Sequence, residues 1–327
     1  MCSLLYKLLL PLSLVLTFQA DLYNSEPILK RALPEWHETT TGHAAGHVWS
    51  VTGLTSEKYI VDVNDQGPAI PLWDLRRIED MPDIKTHGFT YVTRDFPLDA
   101  SQLDPHSEAH QKILERDALD LVKDLTNSKS AISWGGVLRG PSRGSQKPYR
   151  VMHSDMSPRG AEFIKSSMIL PFCETSDDED TKAFGQHMAQ DKRVVIFNVW
   201  RPLREVGRDP LALCDWQSLS DQDAWGIVNH PTDTGSSIQA WKYNEHQKWF
   251  YLDKQKPNEV FVFVQHDSSA PAGHGMNTPH AAPYIYETRR EAPRISYECR
   301  IVAIVGSEFR LDHGRTGQGL FESVTQR

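Results

Sequence analysis

Apolar and polar positions alternate differently along the chain, and the changes in pattern divide it into regions. Leu8 to Phe18 is almost wholly apolar, with Lys7 before it and Phe18-Gln19-Ala20 at its end. This run is short for a membrane span; it reads as a signal-like segment over residues 1–20, or as a buried strand. Residues 21–56, rich in Thr, Gly, His and Pro, have no period and read as an irregular arm. Tyr59-Ile60-Val61-Asp62-Val63 alternates as a strand does, and Leu72-Trp73-Asp74-Leu75 suggests a second. From Ser107 to Asn127, the apolar residues Leu114, Ala118, Leu121, Val122 and Leu125 recur at helical spacing, with charged residues opposite. This is the pattern of a helix laid on a sheet.

Beyond that helix, β-prone runs dominate. Val194 to Trp200 predicts a strand stopped by Pro202. Val260 to Val264 is apolar at every position, as in a strand buried on both faces. Arg294 to Val305 predicts a third strand. Pro158 permits a helical turn through Ala161, Phe163 and Ile164, and the acidic stretch Thr175 to Asp180 reads as a solvated loop. Pro and Gly punctuate the intervals. The expected fold is mainly β with flanking helices around a double-stranded β-helix (jelly roll) core. One such domain would occupy residues 57–310, with a tail over 311–327.

Composition narrows the function. Hydrophobic residues make up 39% and charged residues 24%, which suits a folded globular enzyme. A formal charge of −8 argues against a nucleic-acid partner, because phosphate backbones select basic surfaces. The four cysteines (Cys2, Cys173, Cys214 and Cys299) form no CxxC pair and no disulfide framework, so a reducing, cytoplasmic setting is expected. The apolar N-terminus points the other way, to the endoplasmic reticulum or secretion. There is no zinc-protease His-Glu-x-x-His, no Gly-x-Ser-x-Gly and no nucleotide loop. His43 and His47 have zinc-like spacing, but Gly42 and Gly46 argue against the helix it would require.

What remains is His153-Ser154-Asp155. In a strand, residues two apart share a side, so His153 and Asp155 would face one cavity. Two histidines and one carboxylate can bind one face of an octahedral iron(II) and leave the other face exchangeable. Alone the motif is weak: among 14 histidines, a His-x-Asp is expected about once by chance. His266, His274 and His280 are all open as the third ligand. Further on, Arg294, Ser296, Glu298 and Arg300 alternate onto one face of a predicted strand. If that face is buried it needs partners, and an anionic co-substrate would supply one for an arginine fork. If it is wet, the arginines merely pair with acids.

A series of further motifs resembles a known family. They are Asn198-Val199-Trp200-Arg201-Pro202-Leu203, Pro210-Leu211-Ala212-Leu213-Cys214-Asp215, Lys248-Trp249-Phe250-Tyr251-Leu252, Pro257-Asn258-Glu259-Val260 and Thr278-Pro279-His280-Ala281-Ala282. In this order they are similar to the iron(II)/2-oxoglutarate-dependent hydroxylase/desaturase family of natural-product biosynthesis, over roughly Tyr59 to Val305. The resemblance implies iron held by His153, Asp155 and His280, which favours His280 over the other two histidines. It also implies 2-oxoglutarate near Arg294, with Ser296 and Arg300 beside it, and molecular oxygen as the second co-substrate. Two departures from the family pattern are Pro283-Tyr284, where a Phe is usual, and an unlike first 50 or so residues.

The expected activity is hydroxylation or desaturation of a small hydrophobic metabolite. Trp200, Arg201, Trp249 and Tyr251 are the candidate substrate-pocket residues, with core packing as the competing role for each tryptophan and an ion pair for Arg201. The competing functions are a 2-oxoglutarate-independent metal enzyme of the same fold and a non-catalytic accessory protein. No membrane association is expected, and a homodimer is the expected assembly.

Overall fold

The computed structural model describes residues 47–50, 69–226, 238–271 and 277–313. The apolar N-terminal segment, the predicted strand at Tyr59 to Val63, His43 and His274 lie outside these residues. Thirteen strands occur among the described residues. They are β1 His47–Ser50, β2 Ala69–Asp74, β3 Phe89–Thr93, β4 Ser130–Arg139, β5 His153–Ser154, β6 Val194–Pro202, β7 Ala212–Cys214, β8 Ala224–Gly226, β9 Gln239–Trp241, β10 Trp249–Tyr251, β11 Glu259–Asp267, β12 His280–Ala281 and β13 Ser296–Ile304. They form two sheets, in the orders β1-β2-β10-β7-β12-β5-β9-β8 and β3-β11-β6-β13-β4. This double sheet with few helices is the jelly-roll architecture. Strand β1 lies inside the stretch expected to be an irregular arm, where it pairs antiparallel with β2.

The five-stranded sheet is buried on both faces along β6 and β11, as the apolar runs 194–197 and 260–264 require. One of its faces is covered by a helix. The one-turn helix α1 (Ile84–His87) precedes it, and α2 (Glu108–Thr126) is the long amphipathic helix that the spacing predicts. Ser107 caps the start of α2 by accepting from the His110 N–H, and Asn127 ends it in a left-handed turn (φ 53°). Leu114, Ala118, Leu121 and Val122 pack in one cluster with Tyr297, Cys299 and Ile301 of β13.

The other covering is helical too, and only part of it is visible in the sequence. Helix α3 (Pro158–Ile164), a π-helical turn at Lys165–Ile169, α4 (Leu170–Thr175) and α5 (Glu179–Ala189) follow one another. Their Ala161, Ile164, Ile169, Cys173, Phe184 and Met188 meet Ile196 of β6 and Val302 of β13. The acidic stretch read as a loop spans the end of α4 and the start of α5, where Asp178 is the N-cap. Its acids suit the positive end of the helix dipole. No helix among the described residues is long and apolar enough to cross a membrane.

Candidate metal centre

Two of the shortest strands meet at the centre of the eight-stranded sheet. β12 pairs antiparallel with β5, so that His280 stands directly opposite His153. Cross-strand partners share a face. The two imidazole rings lie 4.2 Å apart between centroids, and the Phe263 ring of the facing sheet lies 4.9 Å from His280. Asp155 follows β5 directly, and its backbone N–H donates to Gln265 Oε1 at 2.7 Å. Gln265 itself sits at a bulge in β11, between Val264 and His266. The extra residue turns its side chain out of the ladder and toward the site.

The three side chains are buried and oriented. His153 Nδ1 is 2.8 Å from the Val151 carbonyl, and His280 Nδ1 is 3.2 Å from that of Thr278. A ring N–H held by a carbonyl leaves the lone pair on Nε2. Both Nε2 atoms point at the same oxygen, Asp155 Oδ1, each at 3.6 Å. Nε2 of His153 is buried with no hydrogen-bond partner. Burial, then the neighbouring His280, pushes the His153 pKa down to about 3, so its ring is a neutral donor. One donor atom from each of the three residues falls within 4.8 Å of the others. This donor set fits a divalent metal: two imidazoles, one carboxylate oxygen, and an orphaned buried nitrogen that a metal would satisfy.

The second carboxylate oxygen is occupied by protein. Asp155 Oδ2 accepts from Asn198 Nδ2 at 2.8 Å and from Arg300 Nη2 at 2.5 Å. Burial works to raise the Asp155 pKa, but Arg300 and the two histidines outweigh it and hold the carboxyl well below its usual range. Asn198 Nδ2 also donates to Glu298 Oε1 at 2.6 Å, and Glu298 lies 3.7 Å from Arg139. The inward face of β13 is therefore buried at Ser296 and Glu298, with Glu298 and Arg300 partnered, not wet. The strand begins at Ser296, so Arg294 stands just before it instead of within it.

Arg294 is buried beside these strands. Its Nη1 donates to the Asp209 carbonyl at 2.8 Å, and its guanidinium lies over the Trp200 ring at 5.2 Å. Burial, and then Arg139, lowers its pKa to about 9. Three polar atoms of this corner are buried without partners: Arg294 Nε, Ser296 Oγ and Trp200 Nε1. Buried donors left over in this way mark a place for an anion.

The other candidates sit elsewhere. Arg201 points to the opposite face of β6, where it pairs with Asp117 of α2 at 2.5 Å and donates to the Pro257 carbonyl. Trp249 and Tyr251 also correct the pocket expectation. Phe250 pairs with Leu213, which pairs with His280, so in β10 it is Phe250 that shares the metal-side face. Trp249 and Tyr251 turn away from it and pack with Trp216 and Trp241. His266 pairs with Glu162 at 3.5 Å rather than with its neighbour Asp267. This contact, with Lys165, lowers the Glu162 carboxyl to about 2. Asn198, Phe250 and Asp209 are the residues that the motifs alone do not single out. Alternation along β6 and β10 shows two faces, but not which one is inward.

Comparison with known proteins identifies the family of the chain. A family model described as "Oxidoreductase/YMDC permease-like domain" matches residues 45–304. The alpha-ketoglutarate-dependent dioxygenase tstK of Talaromyces stipitatus is 27% identical over 212 residues, 61% of this chain and 71% of that protein. The hydroxylase/desaturase asaB of Aspergillus flavus is 31% identical over 140 residues, 38% of this chain and 61% of that protein. Among solved structures, the iron and alpha-ketoglutarate-dependent endoperoxidase NvfI matches with a TM-score of 0.56 at 22% identity, covering 80% of this chain and 97% of its own, a likeness of fold. The chain belongs to this oxidoreductase family, and its similar proteins are named Fe(II)/2-oxoglutarate-dependent dioxygenases and hydroxylase/desaturases.

Proposed function

We propose that the protein is an oxidative tailoring enzyme of secondary metabolism that hydroxylates or desaturates a small hydrophobic metabolite, using iron(II), 2-oxoglutarate and molecular oxygen. The observation that carries this reading is the convergence of two histidine Nε2 atoms on Asp155 Oδ1, with the other carboxylate oxygen already occupied. Three protein donors on one side of a metal leave the other side for co-substrate and oxygen.

In this reading His153, Asp155 and His280 hold the metal. Iron bound there supplies the oxygen activation; the protein supplies binding, orientation and a dry cavity. The Nδ1 contacts to Val151 and Thr278 fix both rings. Arg294 and Ser296 receive the far carboxylate of 2-oxoglutarate, with the Trp200 indole beneath the guanidinium. Arg300 is committed to Asp155 and acts on the co-substrate only through it. Phe250 and Phe263 provide apolar wall on the metal side, which suits a hydrophobic substrate. The catalytic domain is the single jelly roll, working in the cytoplasm, where reduced iron and 2-oxoglutarate are available.

Anaerobic titration of iron(II)-loaded protein with 2-oxoglutarate tests the assignment. A visible charge-transfer band that saturates with co-substrate is expected. Iron uptake without any 2-oxoglutarate binding would instead indicate a metal enzyme that does not use it.

A further inference from the structure

We propose that Asp209, clamped in a left-handed backbone conformation by Arg150 and Arg208, is a positioning residue that aims Arg294 at the far carboxylate of the co-substrate. This rests on the reading of Arg294 as the co-substrate anchor.

Asp209 has φ of 60°, a conformation that is strained for non-glycine residues and that Asp and Asn tolerate best. It is nevertheless buried, and both of its carboxylate oxygens are engaged. Arg150 Nη2 lies 2.6 Å from Oδ1, and Arg208 Nε lies 3.3 Å from Oδ2. Each arginine is tied to a second segment as well. Arg150 Nη1 donates to the Ala282 carbonyl at 3.1 Å, two residues past His280. Arg208 Nη1 donates to the Arg289 carbonyl at 3.0 Å, and the Arg208 backbone forms a bridge with Pro293, the residue before Arg294.

The left-handed turn at Asp209 matters because its carbonyl is the acceptor for Arg294 Nη1. In a guanidinium, Nε and Nη2 form one edge, and Nη1 projects from the other. Holding Nη1 leaves the Nε–Nη2 edge to meet a carboxylate side-on, the two-point geometry that arginine offers and lysine does not. Nε on that edge is buried without a partner. The Trp200 ring bounds the group on one side, 5.2 Å from its carbon, and the Asp209 carbonyl holds its rotation through Nη1.

Charge supports the same role. Lys147, Arg150, Arg208 and Arg294 all line one cavity of about 240 Å³, and Asp209 is the acid among its lining residues. Without that acid, Arg150 and Arg208 would repel Arg294 at close range.

The test compares two 2-oxo acids on anaerobic iron(II)-loaded protein by calorimetry. 2-Oxoglutarate carries the far carboxylate and pyruvate does not. Asp209→Ala is expected to weaken 2-oxoglutarate about tenfold, the size of one hydrogen bond to a charged group, and to leave pyruvate within about twofold. Asp209→Ala combined with Arg294→Ala should bind 2-oxoglutarate no more weakly than Arg294→Ala alone. Unchanged 2-oxoglutarate affinity in folded Asp209→Ala, or an equal loss for both acids, overturns the proposal. If Asp209→Ala does not fold, Arg208→Gln removes one side of the clamp from a partly exposed position. It must then weaken 2-oxoglutarate severalfold and spare pyruvate, and no change counts against the clamp. A parent protein whose 2-oxoglutarate affinity ignores Arg294→Ala would sink the anchor reading itself, a different result from dependence on Arg294 without dependence on Asp209.

Discussion

Arg300 Nη2 and Asp155 Oδ2 lie 2.5 Å apart, and this contact divides the Asp155 carboxylate into two oxygens with different roles. Oδ2 belongs to the protein, through Arg300 and Asn198. Oδ1 faces the two histidines. A carboxylate restrained in this way offers a metal one oxygen rather than two, which conserves a coordination position for ligands that exchange.

Metal content follows from that division. Iron should bind at one per chain and be lost in His153→Ala, Asp155→Ala or His280→Ala, each retaining the circular dichroism of the parent. Elemental analysis of the purified variants is the measurement. Iron that persisted in His280→Ala but vanished in His266→Ala would move the third ligand.

Co-substrate affinity should depend on the fork of Arg294. Losing a buried charge-assisted carboxylate pair costs on the order of 2–5 kcal/mol, so Arg294→Ala nearly abolishes 2-oxoglutarate binding, and Arg294→Lys weakens it. Anaerobic titration reads both, and iron content should stay at the parent level in each.

Arg201 should matter for stability and not for binding. Its ion pair joins β6 to α2 through Asp117. Removing Arg201 leaves Asp117 still paired with Arg94, so the cost is that of one charge-assisted hydrogen bond, about 1.5–3 kcal/mol. Urea unfolding of Arg201→Ala should show a loss of this order, with 2-oxoglutarate affinity unaltered. A variant as stable as the parent but weak in co-substrate binding would return Arg201 to the pocket.

Stability should fall toward acid pH through Asp267. This buried carboxylate lies 2.6 Å from Arg193 and 2.9 Å from His313. Burial alone would raise its pKa, but His313 and Arg193 together hold it below the usual range. A depressed folded-state pKa stabilises the protein above the unfolded value of about 4, and the gain is lost as the pH falls through the carboxylate range. The stability gap between the parent and Asp267→Asn, followed by urea unfolding at several pH values, should be widest near neutrality and shrink in acid. A gap that stayed constant with pH would assign it to packing.

Much of the fold could be read from the chain because long elements carry their own period. Helix α2 shows its stripe, and β6 and β11 carry apolar runs that only a buried sheet accommodates. Strands β5 and β12, two residues each, are too short to show alternation, yet they carry the candidate ligands. Helix α5 buries only Phe184, Gly185 and Met188 among many charges, so its apolar stripe is thin. Trp249 and Phe250 illustrate the remaining limit: alternation separates the faces of β10, but only pairing through Leu213 shows which one meets His280.

The opposition of His153 and His280 has a consequence for biosynthesis of the protein. The two ligands come from strands far apart in sequence that are brought together by the same sheet. Between them the chain must complete α3 to α5 and pair β6, β7 and β11, and contacts of such long range form late. No fragment ending before β12 contains the whole ligand set. Metal loading through these candidate ligands would therefore be a late event, available only to chains whose central sheet has closed, so a truncated product would not sequester iron through them.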